Sequence, residues 1–309
     1  MKNLGLYTVT VLIWGSTWIF IKLQLGVVDP VLSVAYRVTL ASIILIGYCK
    51  LRGLNLRFSL RQHMFIALQG AFLFSINYLL VYMAELYLTS GLVAVLFSTL
   101  VFMNVIVGAA ALGTPVRGHV VFGALLGMVG IALVYLPELN AFNLQDSGFL
   151  GLLLGVGGVV VASFGNITSA RNQRAGLPVV QTNALGMGYG GLLMFIYALI
   201  RGIAFDISLS VPYIGALLYL AIFGSILAFG AYLTLLGRIG ADRAAYATLL
   251  FPIIALGIST LFEGYQWNGL ALLGTVLVLA GNFLVLFWRK DSSQELSAPT
   301  ETAAHAESS

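Results

Sequence analysis

Ser75, Tyr78, Tyr82 and Glu85 succeed one another at spacings of 3, 4 and 3, which sets a hydroxyl, two phenols and a carboxyl along one face of a helix. Such a stripe can hydrogen-bond a small polar molecule, offer it ring faces and exchange a proton with it. Serine and tyrosine also join membrane helices to one another, through hydrogen bonds of about 0.6 kcal/mol each. What favours the first use is recurrence: Ser225 and Tyr232 stand 150 positions after Ser75 and Tyr82.

Glu85 and Arg37 carry the charges of this set. On the helices drawn below, Arg37 lies about seven residues, roughly 10 Å, beneath the surface at which Glu85 sits, within reach of a long arginine side chain. One reading is a Glu85–Arg37 pair that opens and closes a vestibule. Another is a carboxyl that takes up a proton in one state and a cation in the other, since burial and a neighbouring cation act on its proton affinity in opposite senses. A third leaves Glu85 in headgroup water and Arg37 as an anchor for backbone carbonyls. The remaining candidates for the wall of a binding cavity are Trp14, Ser98, Asn166 and Tyr246. Trp14 and Trp18 are one turn apart, and an indole at mid-span offers a face for an amine. Tyr246 and Thr248 precede Pro252, which removes a backbone hydrogen bond and kinks a helix.

These residues must be held by elements of one kind. In 309 residues only 8% are charged and 60% are hydrophobic, too little polar surface to cover a water-soluble globule. A helix needs about 20 apolar residues to cross a core of roughly 30 Å. Ten segments meet this, near 4–23, 31–49, 64–85, 91–112, 119–136, 149–170, 178–200, 212–235, 242–262 and 268–288. Barrel strands would be about 10 residues long and alternate in polarity. The expected fold is therefore an all-α integral membrane protein of ten transmembrane helices, with the lipid bilayer as its surroundings. Lys2 and the apolar run after it lack a cleavage site and read as an uncleaved first helix.

With the N-terminus in the cytoplasm, 12 of the 15 cations fall on the inner side, as the positive-inside rule requires. This predicts both termini in the cytoplasm and a cell (inner) membrane location. The net charge of +4 is then a topological signal, and no loop suggests nucleic acid as a partner.

The halves repeat. Trp14-Gly15-Ser16 falls on Phe164-Gly165-Asn166, and Ser98 on Thr248, at the same shift of 150 as the span 3 and span 8 matches. The fifth spans match at 151 and the second at 148, where Pro30 meets Pro178. Five being odd, the second copy enters from the opposite side, giving an inverted repeat whose central site can face either side. The expected units are residues 1–140, residues 148–290 and a disordered tail, 291–309.

With Trp14-Gly15-Ser16-Thr17, Arg37 after Asp29-Pro30, the turn within Ala84 to Ala94, Pro252 and Phe262-Glu263-Gly264, the chain resembles the ten-helix, two-EamA-repeat branch of the drug/metabolite transporter superfamily, over about residues 4–288. The resemblance implies export of small metabolites, amino acids or toxic compounds, commonly against a proton gradient, through a cavity lined by spans 1, 3, 4, 6, 8 and 9. Two positions depart from it: Gly113-Thr114 replaces a frequent Gly-Glu, and Phe102 stands where a proline is expected.

No phosphate-cradling loop, paired acidic motif or His cluster is present, so no cofactor or metal is expected and ATP-driven pumping by this chain alone is excluded. The lone Cys49 supports neither a disulfide nor a thiolate metal site. A membrane enzyme would need an Asp-rich or His-based site near one surface, and a scaffold or receptor would not need matched polar residues in the two halves. Alternating access between the halves is the expected mechanism, as a monomer or homodimer. An aromatic and hydroxyl lining without a fixed counter-ion favours neutral, zwitterionic or modestly cationic small molecules over phosphorylated ones.

Overall fold

A computed structural model describes residues 2–112, 118–134, 147–239, 244 and 247–287; Tyr246 and the tail 291–309 lie outside them. Ten helical segments follow in order. They are α1 (Lys2–Lys22), α2 (Pro30–Leu51), α3 (Leu60–Ala84), α4 (Ser90–Ser98 with Leu100–Leu112), α5 (Gly118–Val134), α6 (Ser147–Arg174), α7 (Val179–Ile200), α8 (Val211–Ile239), α9 (Ala247–Phe262) and α10 (Gly269–Phe287). Among the described residues there is no strand. Six helices are by themselves long and apolar enough to cross a membrane, and α4 joins them if its two pieces count as one span. The apolar parts of α5, α9 and α10 are shorter.

The ends of these helices follow from local chemistry. Asp29 caps α2 by accepting from the Val31 N–H at 2.8 Å, and Pro30 at the first position needs no partner for the N–H it lacks. Ser59 and Gln62 cap α3 reciprocally. Gly26 and Gly176, 150 positions apart, close the turns after α1 and α6 at φ +76° and +77°, a left-handed conformation that a side chain would strain. Their agreement is a backbone signature of the repeat.

Packing is paired in the same way. Helix α2 packs on α7, α5 on α10 and α4 on α9; α1 meets α8 and α9, while α6 meets α3 and α4. Exchanging each helix with the one five places on leaves this pattern unchanged, which is what a two-fold relation between the halves produces. The small residues serve these pairings. A methyl on Gly130 would come within 2.6 Å of the Gly274 carbonyl oxygen, and one on Gly281 within 2.5 Å of that of Gly123, so α5 and α10 touch backbone to backbone. Large apolar side chains such as Phe122, Met128, Leu199 and Val276 point away from the bundle, as a lipid-facing surface requires.

Three helices are irregular near their middles. In α3 the segment Phe72–Ile76, and in α8 the segment Leu220–Leu227, are wound as π-helix, and these hold Ser75 and Ser225. Such bulges reorient side chains and concentrate at functional sites. Helix α4 bends by 40° at Thr99, where the Ser98 and Thr99 hydroxyls donate back to the carbonyls of Val95 and Leu96. That back-bonding bends a helix without the proline whose place Phe102 takes.

Candidate substrate cavity

The irregular helices surround a cavity of about 80 Å³. Its wall draws on α1, α3, α4, α6, α8 and α9, with one residue, Arg37, from α2. Most of it is ring. The Trp14 indole meets Phe229 edge-on at 5.0 Å and Tyr232 at 4.9 Å, and Trp18 stacks on Phe251 at 5.8 Å and leans on Phe97 at 5.2 Å. Aromatic pairs at such separations contribute about 0.5–1.5 kcal/mol each beyond the area they bury, so the wall is preformed.

Of the sequence-predicted wall residues, Trp14, Tyr78, Asn166 and Tyr232 line this cavity. Ser225 lies behind the wall and accepts from Arg37 Nε at 3.0 Å. Tyr82 is fully buried beyond the cavity, its hydroxyl donating to Gln24 Oε1 at 2.7 Å. Ser98 is turned to its own helix. Tyr246 lies outside the described residues.

Arg37 is 3% exposed, its guanidinium 4.0 Å from the centre of the Tyr78 ring. It makes no ion pair with Glu85 in this conformation: both Glu85 carboxylate oxygens are buried without a hydrogen-bond partner. The ammonium of Lys22 instead donates to two backbone carbonyls of the α3–α4 turn, those of Glu85 and of Leu88, the latter at 2.8 Å. Glu85 itself does not line the cavity. The expectation of a lining without a fixed charge is thereby corrected, because α2 turns Arg37 toward the cavity rather than up toward the surface.

Closure at the Glu85 end involves residues to which the sequence drew little attention. Gln24, Glu85 and Ser90 are all 0% exposed. Glu263, at the end of α9, accepts from the Ser90 N–H with both oxygens, at 3.0 and 3.2 Å, and from the Ser90 hydroxyl. A carboxylate thus caps the start of α4, where the helix dipole favours negative charge. At the opposite end an open cleft of about 580 Å³ runs between the ends of α6 and α8, bordered by Arg174 and Arg238.

Among the rings, Trp18 is marked in the sequence by its place one turn after Trp14, whereas Phe97, Phe229 and Phe251 carry no individual signal, since an aromatic residue in a membrane span is most often packing. The spacing of three from Tyr232 could have found Phe229. Phe97 and Phe251 become wall residues only through the packing of α4 and α9 against α1.

Ten apolar helices in two exchange-related sets around a ring-lined internal cavity define a multi-pass membrane transport protein. The chain belongs to the EamA-like transporter family, whose sequence profile matches residues 3–136 and 149–287. It is 25% identical to the protein PagO of Salmonella typhimurium over 92% of each chain. It is also 25% identical to a "probable amino-acid metabolite efflux pump" of Escherichia coli, over 94% of this chain and 97% of that one. An inner membrane transporter of Escherichia coli, YedA, is 27% identical over 88% and 89% of the two chains. A crystal structure superposes with a TM-score of 0.69 at 17% identity, covering 96% of this chain and 99% of the other; that likeness concerns the fold.

Proposed function

We propose that the protein is a secondary active transporter that carries small metabolites, amino acids or related compounds among them, across the inner membrane by alternating access. The observation that carries this reading is the ring-lined cavity at the junction of two sets of helices that pack by the same rule. A binding site there can be opened toward either side by rocking one half on the other. The relatives' names, which speak of efflux and of the inner membrane, support export and that location. The cation distribution supports both termini in the cytoplasm. Trp14, Tyr78, Asn166 and Tyr232 bind the solute, with Tyr82, Ser98 and Ser225 bracing the wall behind them. Glu85, buried and without a hydrogen-bond partner at the closed end, is the group that couples transport to protons: a carboxyl exposed when that end opens and buried when it closes meets a different dielectric in each state.

Counterflow in proteoliposomes tests the proposal. Exchange of a labelled compound, accelerated by a pH gradient, with the acceleration lost and exchange retained in Glu85→Gln, is the expected result. Exchange equally sensitive to the gradient in Glu85→Gln would remove Glu85 from coupling. A folded protein that exchanges nothing across a broad panel would overturn the transport reading itself.

A further inference from the structure

Arg37 is the one charged residue among the described residues of the cavity wall. Four carboxylates belong to the described residues, and none is hydrogen-bonded to Arg37. Asp29 caps α2, Glu263 caps α4, Asp206 is exposed, and Glu85 has no partner and does not line the cavity. Arg37 therefore stands in the wall without an ion-pair partner, held by Ser225 and the Tyr78 ring, with the Glu85 charge acting on it only at a distance. A guanidinium has five N–H donors; Nε is spent on Ser225, and the Tyr78 and Tyr82 hydroxyls also lie against the group, which leaves donors over for a ligand. Two further wall residues hold donors with no partner, the Trp18 indole N–H and the Tyr232 hydroxyl, and both side chains are more than nine-tenths buried. Nothing on the described wall can neutralise a positive charge.

The repeat isolates the same residue. At the shift of 148 that superposes the second spans, Arg37 corresponds to Leu185. Ser75, the counterpart of Ser225, donates to the Gly70 carbonyl of its own helix at 3.2 Å. The Arg37–Ser225 arrangement thus exists once in a fold built of two similar halves, and a buried cation in a membrane span is kept at an energetic cost that function must justify.

We propose that Arg37 anchors a carboxylate of the transported molecule, with the Trp18 N–H and Tyr232 hydroxyl as neighbouring donors and the rings of Trp14, Phe229 and Phe251 receiving an apolar body. The substrates are then small monocarboxylates with a flat or branched apolar group, apolar amino acids included, while amines lacking a carboxylate are rejected. Phosphate esters are poorly served by a single cation. The inference rests on the cavity being the transport site, and it names the specificity of that site.

A matched set of probes separates the two ideas: 3-phenylpropionate, L-phenylalanine, L-phenylalaninamide and phenethylamine remove the carboxylate and the amine in turn. Each is offered for counterflow, and each is tested for binding by thermal stabilisation of the purified protein. The two carboxylates should bind and exchange at least about tenfold better than the amide and the amine, the range expected of a hydrogen-bonded charge contact. Arg37→Gln should abolish that preference. Should Arg37→Gln not fold, Gly224→Ala serves, since its methyl would meet Thr17 Cγ2 at 2.9 Å and Arg37 Nη2 at 3.1 Å; pushing the guanidinium aside should weaken the carboxylates more than the amide and the amine, whereas crowding by Thr17 alone would weaken all four alike. Exchange of the amine or amide at rates equal to the acids would overturn the carboxylate anchor and leave transport standing. Binding of the acids that depends on Arg37 without any exchange would uphold the anchor and refute transport. No binding of either acid would overturn the anchor.

Discussion

Replacing Glu263 by glutamine should loosen the Glu85 end of the bundle. The carboxylate accepts from the Ser90 N–H at 3.0 and 3.2 Å and from the Ser90 hydroxyl, joining the end of α9 to the start of α4. Hydrogen bonds to a charged group contribute about 1.5–3 kcal/mol, and a negative charge at a helix N-terminus about 0.3–1 kcal/mol. An amide keeps one acceptor oxygen and loses the charge and the second acceptor, so about 1–2 kcal/mol of the closed arrangement disappears, a factor of about 5–30 in the ratio of closed to open. The change can be read as access to the cavity. Cys49 is the chain's one cysteine and is buried, so Cys49→Ala gives a silent background in which Val81→Cys, on the wall, reports entry. A membrane-impermeant thiol reagent applied from the side on which Lys22 lies should label Glu263→Gln about 5–30 times faster than the parent. An unchanged labelling rate in a variant of unchanged thermal stability would refute the cap as a closing contact.

Three further outcomes follow from the same geometry. Gly130→Ala drives a methyl against the backbone of α10, 2.6 Å from the Gly274 oxygen and 2.8 Å from the Val278 nitrogen, and should lower stability by about 1–3 kcal/mol; Gly257→Ala, with nothing within 4 Å, should leave the melting temperature in detergent unchanged or slightly raised. Trp14→Ala removes ring contacts to Phe229, Tyr232 and Phe251 and should weaken the apparent affinity in counterflow about tenfold or more, with Trp14→Phe retaining most of it. Tyr82→Phe leaves Gln24 Oε1 without its donor in a fully buried position and should cost about 1–3 kcal/mol in thermal unfolding.

The ten helices were legible because lipid imposes length and apolarity together, and the segments predicted near 31–49 and 178–200 end within a few residues of α2 and α7. The stripe on α3 was half legible. Tyr78 reaches the cavity, but Tyr82, one turn farther along the same regular stretch, lies beyond it against Gln24, while the π-wound segment Phe72–Ile76 shifts Ser75 off the face that an ideal helix would give all three. Neither π-segment has a compositional mark, because both are runs of ordinary apolar residues around a serine. Arg37 could be placed at a depth but not given a direction: its partners Ser225 and Tyr78 come from α8 and α3, contacts that only the tertiary arrangement creates. Glu263 was visible as part of a motif, yet its role depends on Ser90, 173 positions away.

A chain whose halves were identical would have equal free energies in its two orientations, since the pseudo-axis would exchange one for the other. Whatever biases the resting state must therefore sit where the repeat fails. Glu263 is one such point: the corresponding position after the first half's fourth span, at the shift of 151, is Leu112, and no acidic residue occurs between Glu85 and Glu138. The helix-capping carboxylate has no acidic counterpart at that position, so the Glu263–Ser90 contact at the Glu85 end is not repeated by the residue that the shift of 151 pairs with Glu263. Arg37 is another, a cation matched by Leu185. On the alternating-access reading proposed above, the first asymmetry would set which way the cavity faces when empty, and the second what charge a solute must bring to occupy it. A solute that neutralises Arg37 removes the penalty of the buried cation in whichever state binds it more tightly, and only that difference between states can shift the balance. The two departures from symmetry are in this way coupled through the occupant of the cavity, without a direct contact between Arg37 and Glu263.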